Sequence, residues 1–295
     1  MATRMYWQHA LTPLHVGVGR GIGFIDLPIM REKLTNWPYV PGSSVKGVLR
    51  ERAERQNPQS PLLPLAFGRG GDDDASSGSL VFTDARLVCL PVRSLYGTFA
   101  WATCPMALRR LAGDLKQAGL TDHLGIPRNP AEGRLLVPRD VASALAVGND
   151  NKVLFEDLDF IASPCPLTGS WAEKLAGWVL EQAWQQTFRQ RFAVVADEVF
   201  TFLCETATEV NARVRIKSET KTVEGGALWY EEALPAETIL AGYVWCDRVY
   251  GNGTTPADLF REFCEGSPTL QIGGDATTGK GRVAFRFPGG GSSDA

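Results

Sequence analysis

The chain has 295 residues, of which 44% are hydrophobic and 21% charged, with a formal net charge of −3. That length holds one or two domains with an ample core, and the composition is that of an ordinary water-soluble globular protein. The slight acidity argues against a strong free-standing nucleic-acid binder, which is usually basic, but allows a local basic groove or nucleic acid held by several copies together.

Tyr6, Trp7, Leu11, Leu14 and Val16 predict a first strand that closes at His15. Gly17, Gly19, Gly21 and Gly23 follow, a spacing that lets backbone lie close to something large. Asp26 comes next in IDLP, the only carboxylate between the N-terminus and Glu32; an Asp in a loop is most often a turn or cap residue. Pro41-Gly42 ends the loop, and Ser43 or Ser44 is a natural N-cap for a helix over Val45 to Arg55. Val45, Val48 and Leu49 would be its buried face. Lys46 and Arg50, four apart, share another face near the positive end of the helix dipole. Free amides, serines and cations at a helix start suit a phosphate, although basic helix faces are usually just solvated.

Residues 57–78 read as a mobile loop insertion. Asp72, Asp73 and Asp74 within it read as a solvated acidic segment, since consecutive residues rarely converge on one ion. Ser79 to Arg93 alternates as a strand, Leu95 to Trp101 reads as an aromatic loop, and Pro105 to Ala118 as a helix. Gly119 to Arg139 reads as an insertion, Lys152 to Ala162 as a strand, and Trp171 to Ala183 as an amphipathic helix. Asp197 is placed to cap a helix over Glu198 to Ala207. The stretch 103–196 as a whole is taken as helical and finger-like insertions.

In NARVRIK, Ala212, Val214 and Ile216 face one way and Asn211, Arg213, Arg215 and Lys217 the other. A turn at Ser218-Glu219 and a return from Thr220 predict a protruding hairpin, within 208–230, with one cationic face; an ordinary edge strand protected by charge shows the same pattern. Tyr230, Glu231 and Glu232 beside Gly225-Gly226 could reach into a site, or could be core aromatics with surface glutamates. Ile239 to Cys246 reads as a strand and Pro256 to Glu265 as a short helix.

Gly274 to Lys280 matches the nucleotide phosphate-loop pattern up to its last position, where Gly281 replaces Ser or Thr. Val283 to Phe287 reads as a strand where that fold needs a helix, so an NTPase is rejected. The six cysteines, Cys89, Cys104, Cys165, Cys204, Cys246 and Cys264, contain no Cys-x-x-Cys pair and read as buried thiols of a reducing, cytoplasmic setting. No run of about 18 apolar residues occurs, and MATRMYWQHALTP has no signal-peptide core.

TPLHVGVGRGIGFIDLPIMRE followed by PYVPGSSVKGVLRE resembles the N-terminus of the RAMP superfamily of CRISPR proteins. Within it, the chain is similar to the repeated backbone subunits of type III-B Cmr effector complexes. DARLVCLPVRSLYGTFAWATCP, ETATEVNARVRIKSETKTVEGGALWYEEALPAET and QIGGDATTGKGRV extend the resemblance over nearly the whole chain. It implies one α+β domain with an RRM-like (ferredoxin-like) palm, inserted fingers and a β-hairpin thumb. It also implies an endoribonuclease that binds CRISPR guide RNA and cuts complementary target RNA, dependent on a divalent metal, Mg²⁺ or Mn²⁺. Asp26 would bind the metal or assist attack by the 2′-hydroxyl, with His15, Tyr230 and Glu231 in support. RNA would contact Ser43, Lys46, Arg50, Arg213, Arg215 and Lys217, and the loop of Gly273, Gly274, Gly279, Lys280 and Gly281. Further partners would be other copies of the chain in a helical backbone and other Cmr subunits, with no membrane. The alternatives are a non-catalytic scaffold of the same fold and a metal-independent guide-processing nuclease using His15.

Overall fold

The computed structural model describes residues 2–19, 21, 25–70, 76–120, 124–217, 219–220, 222–251 and 253–288. In chain order its strands are β1 (Ala2–Ala10), β2 (Tyr39–Val40), β3 (Gly68–Arg69), β4 (Ser76–Ser77), β5 (Val81–Phe82), β6 (Ala85–Arg93), β7 (Phe99–Thr103), β8 (Arg134–Pro138), β9 (Lys152–Phe155), β10 (Leu158–Cys165), β11 (Phe192–Val194), β12 (Glu209–Ile216), β13 (Val223–Ala233), β14 (Ile239–Cys246), β15 (Thr269–Gln271) and β16 (Arg282–Arg286). The helices are α1 (Gly42–Gln56), α2 (Leu63–Phe67), α3 (Pro105–Gln117), α4 (Pro166–Val179), α5 (Gln182–Arg191), α6 (Asp197–Thr206) and α7 (Pro256–Phe263).

The fold is mixed α+β around one large sheet of order β15-β16-β1-β14-β6-β7-β11-β8-β10-β9, with β2 beside β6 and β5 beside β14. Pairing is parallel at β7/β11 and β8/β10 and antiparallel at the other strand pairs. β1 is flanked by C-terminal strands β14 and β16, so the two ends of the chain share the centre. Its side chains alternate between two cores. Tyr6 and Ala10 join one with Val45 and Leu49 of α1, Phe200 of α6 and Leu259 of α7. Met5 and Trp7 join the other with Leu108 and Leu111 of α3 and Trp171 and Leu175 of α4.

Several expectations need correction. The first strand ends at Ala10, ahead of Pro13, which has no N–H to continue a ladder. The described residues of 11–38 lie outside the main strands instead. α1 starts at Gly42 with neither Ser43 nor Ser44 as its cap; the Asp84 carboxylate accepts the Gly42 amide at 2.8 Å. Asp84 can do so because the stretch expected as one strand breaks between β5 and β6. Residues 57–78, expected as a mobile loop, contain α2, with Leu63, Ala66 and Phe67 buried, and the short β3/β4 pair; Asp72, Asp73 and Asp74 lie outside the described residues. The aromatic loop shortens to residues 95–98, because Phe99–Thr103 pairs with β6. Lys152 to Ala162 is a hairpin, reversed where Glu156 takes φ of 48°. One expected helix is two, α4 and α5, and residues 103–196 contribute strands to the main sheet as well as helices. Asp197 accepts the amide of Met106 in α3 at 2.9 Å, not one from its own helix.

No helix among the described residues is long and apolar enough to cross a membrane. All six cysteines are free thiols and five are buried, with Cys165 half-buried.

Gly242 of β14 lies opposite Tyr6 of β1, whose hydroxyl donates to the Thr83 carbonyl at 2.6 Å. Burial pushes the Tyr6 phenol pKa up, partly offset by the Thr83 side chain. A Cβ at 242 would collide with the Tyr6 hydroxyl and the Thr83 Oγ1. Gly242→Ala should therefore lower stability by about 1–3 kcal/mol, the usual cost of overpacking, measured by urea denaturation; an unchanged midpoint would mean that this strand pair accommodates the methyl.

Candidate functional site

Leu14 and Leu27, between β1 and β2, dock at the root of the β12/β13 hairpin. Leu14 and Leu234 exchange backbone hydrogen bonds at 2.8 and 2.9 Å. Leu27 then runs parallel to β13, donating to Tyr230 at 3.1 Å and accepting from the Glu232 amide at 3.0 Å. Asp26 is exposed beside this pairing, and its Oδ2 accepts the Tyr230 amide at 2.8 Å. One carboxylate oxygen is thus anchored while the residue stays open to solvent. Arg20, Gly23 and the rest of 22–24 lie outside the described residues, as does Ser218 of the hairpin turn.

His15 is buried, and its Nδ1 lies 2.6 Å from the Glu232 carbonyl. A carbonyl only accepts, so Nδ1 carries the proton, and in the neutral ring Nε2 keeps its lone pair. Nε2 faces Gly17, where a Cβ would press against it. The His15 carbonyl accepts the Gly274 amide at 2.8 Å, and a Cβ on Gly273, which has φ of 83°, would collide with that carbonyl. Both glycine-rich stretches therefore meet across His15, and glycine is needed there for close approach.

Glu231 and Glu232 point to opposite sides of β13, and neither is a surface residue. Glu231 is 5% exposed. Its Oε2 accepts from Lys280 Nζ at 2.9 Å and from Arg213 Nε at 3.0 Å, and its Oε1 from Trp229 Nε1 at 2.9 Å. Burial opposes ionisation, but the bonds from Lys280, Trp229 and Arg213 outweigh it and hold the pKa at about 2. Glu232, 2% exposed, accepts from Ile29 N at 3.1 Å, Thr208 Oγ1 at 2.9 Å and Arg31 Nη2 at 2.5 Å.

The structure thus joins Asp26, His15, Tyr230, Glu231, Arg213, Gly273, Gly274 and Lys280 in one network. Lys280 is itself 5% exposed, so its ammonium is spent inside the protein rather than offered to a phosphate. Gly281, with φ of 81°, donates to the Pro13 carbonyl at 2.8 Å, and Gly279 turns the loop with φ of 85°. A strand, β16, follows Gly281, as the sequence predicts. Arg213 is bound at the hairpin root; Arg215 and Lys217 lie exposed further out on β12 and beyond its end. The opposite hairpin face is also open, with Val210, Val214, Ile216, Leu228 and Tyr230 exposed. Ser43, Lys46 and Arg50 lie apart on α1. Ser43 and Lys46 border a pocket of about 310 Å³ with Phe67 and Phe82. Burial, then the charge of Arg50, lowers the Lys46 pKa, and Arg50 pairs with Glu54 at 2.7 Å.

The family model described as the RAMP superfamily matches residues 9–284. The chain belongs to the RAMP superfamily. It is 32% identical over 287 residues to the CRISPR system Cmr endoribonuclease Cmr4 of Pyrococcus furiosus, covering 93% of this chain and 92% of that protein. The structure of oligomeric Cmr4 from the same organism superposes with a TM-score of 0.74 at 25% identity, covering 97% and 98% of the two chains. A chain of the type III-B Cmr-beta complex bound to cognate target RNA matches in fold, with a TM-score of 0.74 at 20% identity over 97% of each chain.

Two features of this RAMP chain escaped the sequence reading: the Glu232 clamp with Arg31 and Thr208, and the burial of Lys280. Their only local signal is the acidic pair in YEEAL beside apolar residues. No spacing links Arg31 to a residue 201 positions away.

The depressed Glu231 pKa has a signed consequence. Its contribution is present above the ordinary carboxylate value of 4.5 and is lost as pH falls towards 2. The melting temperature of Glu231→Gln should lie below wild type at neutral pH, and the gap should narrow as pH drops through that window, measured by differential scanning fluorimetry. A gap independent of pH would show that the cluster does not hold Glu231 ionised.

Proposed function

We propose that this chain is a backbone subunit of a type III-B CRISPR effector complex that binds guide RNA and cuts complementary target RNA at Asp26. The observation that carries the reading is the Asp26 carboxylate, exposed but anchored by one oxygen to Tyr230 at the root of a projecting hairpin. It stands in a chain 32% identical to a protein named as a Cmr endoribonuclease. On this reading the sheet around β1, β14 and β6 is an RRM-like palm, residues 103–196 supply fingers and the β12/β13 hairpin is a thumb. The partners are guide RNA, target RNA, further copies of the chain in a helical backbone and other Cmr subunits, in the cytoplasm. Guide phosphates would lie on the backbone of the glycine loops and on Ser43, Lys46 and Arg50, while Arg215 and Lys217 would meet RNA further along the hairpin.

Among the described residues no three His, Cys, Asp or Glu side chains converge to hold a metal ion. Asp26 alone would hold Mg²⁺ or Mn²⁺, which fits an ion that keeps most of its waters and shares an RNA phosphate oxygen. Bound there, the ion would neutralise charge developing on the phosphate. By holding the ion or by taking up the proton itself, Asp26 would assist attack by the RNA 2′-hydroxyl. The new bond is from the 2′-oxygen to phosphorus and the broken one is to the 5′-oxygen, which takes a proton from water, so the products end in 2′,3′-cyclic phosphate and begin with 5′-hydroxyl. Stacked A-form RNA does not align these atoms, so the strand must be distorted, which is the part assigned to the hairpin. His15, whose Nε2 makes no hydrogen bond among the described residues, would support proton movement. Glu231, bound to three donors, would hold the strand rather than exchange protons.

A non-catalytic scaffold is favoured by one observation, that the Asp26–Tyr230 bond is also what a structural turn residue would make. The reconstituted guide-loaded complex separates the two. Asp26→Ala should keep target affinity and lose cleavage by at least about 100-fold, the lower range for removing a proton-transfer group. A 2′-deoxy sugar 5′ of the cut phosphate should bind and resist cutting. Wild-type cutting by Asp26→Ala would leave the scaffold reading, and products with 5′-phosphate would mean attack by water.

A further inference from the structure

We infer that Glu232 and Arg31 are positioning residues that set where the Asp26 carboxylate stands. The inference rests on the reading of Asp26 as the cleaving residue. Without the clamp, the described contacts tying Asp26 and its neighbour Leu27 to β13 would be the Asp26–Tyr230 bond and the two backbone bonds of Leu27. So short a pairing specifies register weakly, and a slip of one residue would carry Asp26 about 3.3 Å along the strand and turn neighbouring side chains to the other face.

The clamp removes that freedom. Glu232 Oε2 takes the Ile29 amide and Oε1 takes Arg31, so one carboxylate grips the same segment at two residues beyond Leu27. Arg31 reaches further: its Nη1 donates to the Cys204 carbonyl at 2.9 Å and to the Asn36 carbonyl at 2.7 Å. Cys204 sits on α6 beside the buried Phe200 and Leu203. The place of an exposed loop carboxylate is thereby referred to the packed core. Thr208, just ahead of β12, donates to the same Oε1 and ties the hairpin root into the grip. Glu232 also holds the ring of His15 through its carbonyl, so one residue fixes two members of the site by different atoms.

The test uses the guide-loaded complex with complementary RNA and three variants beside Asp26→Ala. Glu232→Gln keeps volume and an acceptor for Ile29 but loses the charge that holds Arg31. Arg31→Lys keeps the charge but cannot span three acceptors. Thr208→Val removes a single edge donor and is the mildest, so one variant remains informative if the others fail to fold. Per assembled complex, Glu232→Gln and Arg31→Lys should bind target as wild type does and cleave about 10- to 100-fold more slowly in single turnover, the scale of a misplacement near 1 Å; Thr208→Val should show a smaller loss of the same kind. Hydrogen exchange at the Tyr230 amide, which Asp26 protects, should quicken in each. A purely structural role would lower melting temperature and complex yield while leaving the rate per assembled complex and the Tyr230 exchange unchanged, and that result overturns the inference. If Asp26→Ala is inactive while the clamp variants cut normally, the positioning inference alone falls. If Asp26→Ala cuts normally, the catalytic reading falls, and Tyr230 exchange still decides whether the clamp holds Asp26 in place.

Discussion

Two carboxylates on successive residues of one strand set the terms for the rest of the molecule. Glu231 and Glu232 point to opposite sides of β13, and both are buried. A buried charge left unpaired is costly, and breaking a buried ion pair costs about 3–5 kcal/mol. Each glutamate therefore requires a cation: Glu231 takes Arg213 from the same hairpin and also Lys280, 49 residues later, and Glu232 takes Arg31, 201 residues earlier. Satisfying one strand brings the N-terminal excursion, the hairpin root and the C-terminal glycine loop to a single place.

The glycines follow from that convergence. Once Lys280 is drawn to Glu231, the loop carrying it passes directly over the backbone at His15. Gly273 and Gly274 are where the two chains touch, and Gly281 turns the loop back against the Ile272 carbonyl. Side chains at these points would separate the layers. The buried imidazole of His15 is held by a carbonyl on one nitrogen and faces Gly17 with the other.

The main sheet and the hairpin play different parts. The sheet buries side chains on both faces and holds β1 between strands from the other end of the chain. The hairpin has exposed residues on both faces, and an isolated two-stranded ribbon is marginal in water. Its order must come from its root, where the buried glutamates lie.

The alternating pattern of NARVRIK, the strand-forming residues of β1 and β14, and the strand after Gly281 were legible because they depend on local periodicity and on glycine or proline geometry. The family resemblance was legible because its motifs span nearly the whole chain in order. Asp26 stood out as a lone carboxylate in a loop, and the structure adds the Tyr230 amide that anchors it. The sequence also misled where a local rule had a distant competitor. Ser43 and Ser44 are good caps, but Asp84 reached the helix start first. Lys280 looked like a phosphate ligand, and Glu231 and Glu232 were open between a site and the surface, because periodicity says which residues share a face but not what that face will meet. By itself, then, the sequence determined the hairpin, the central strands β1 and β14 in outline, and the family. Only the tertiary structure decided which charges are buried together, because that choice depends on segments up to 201 residues apart meeting where water is excluded.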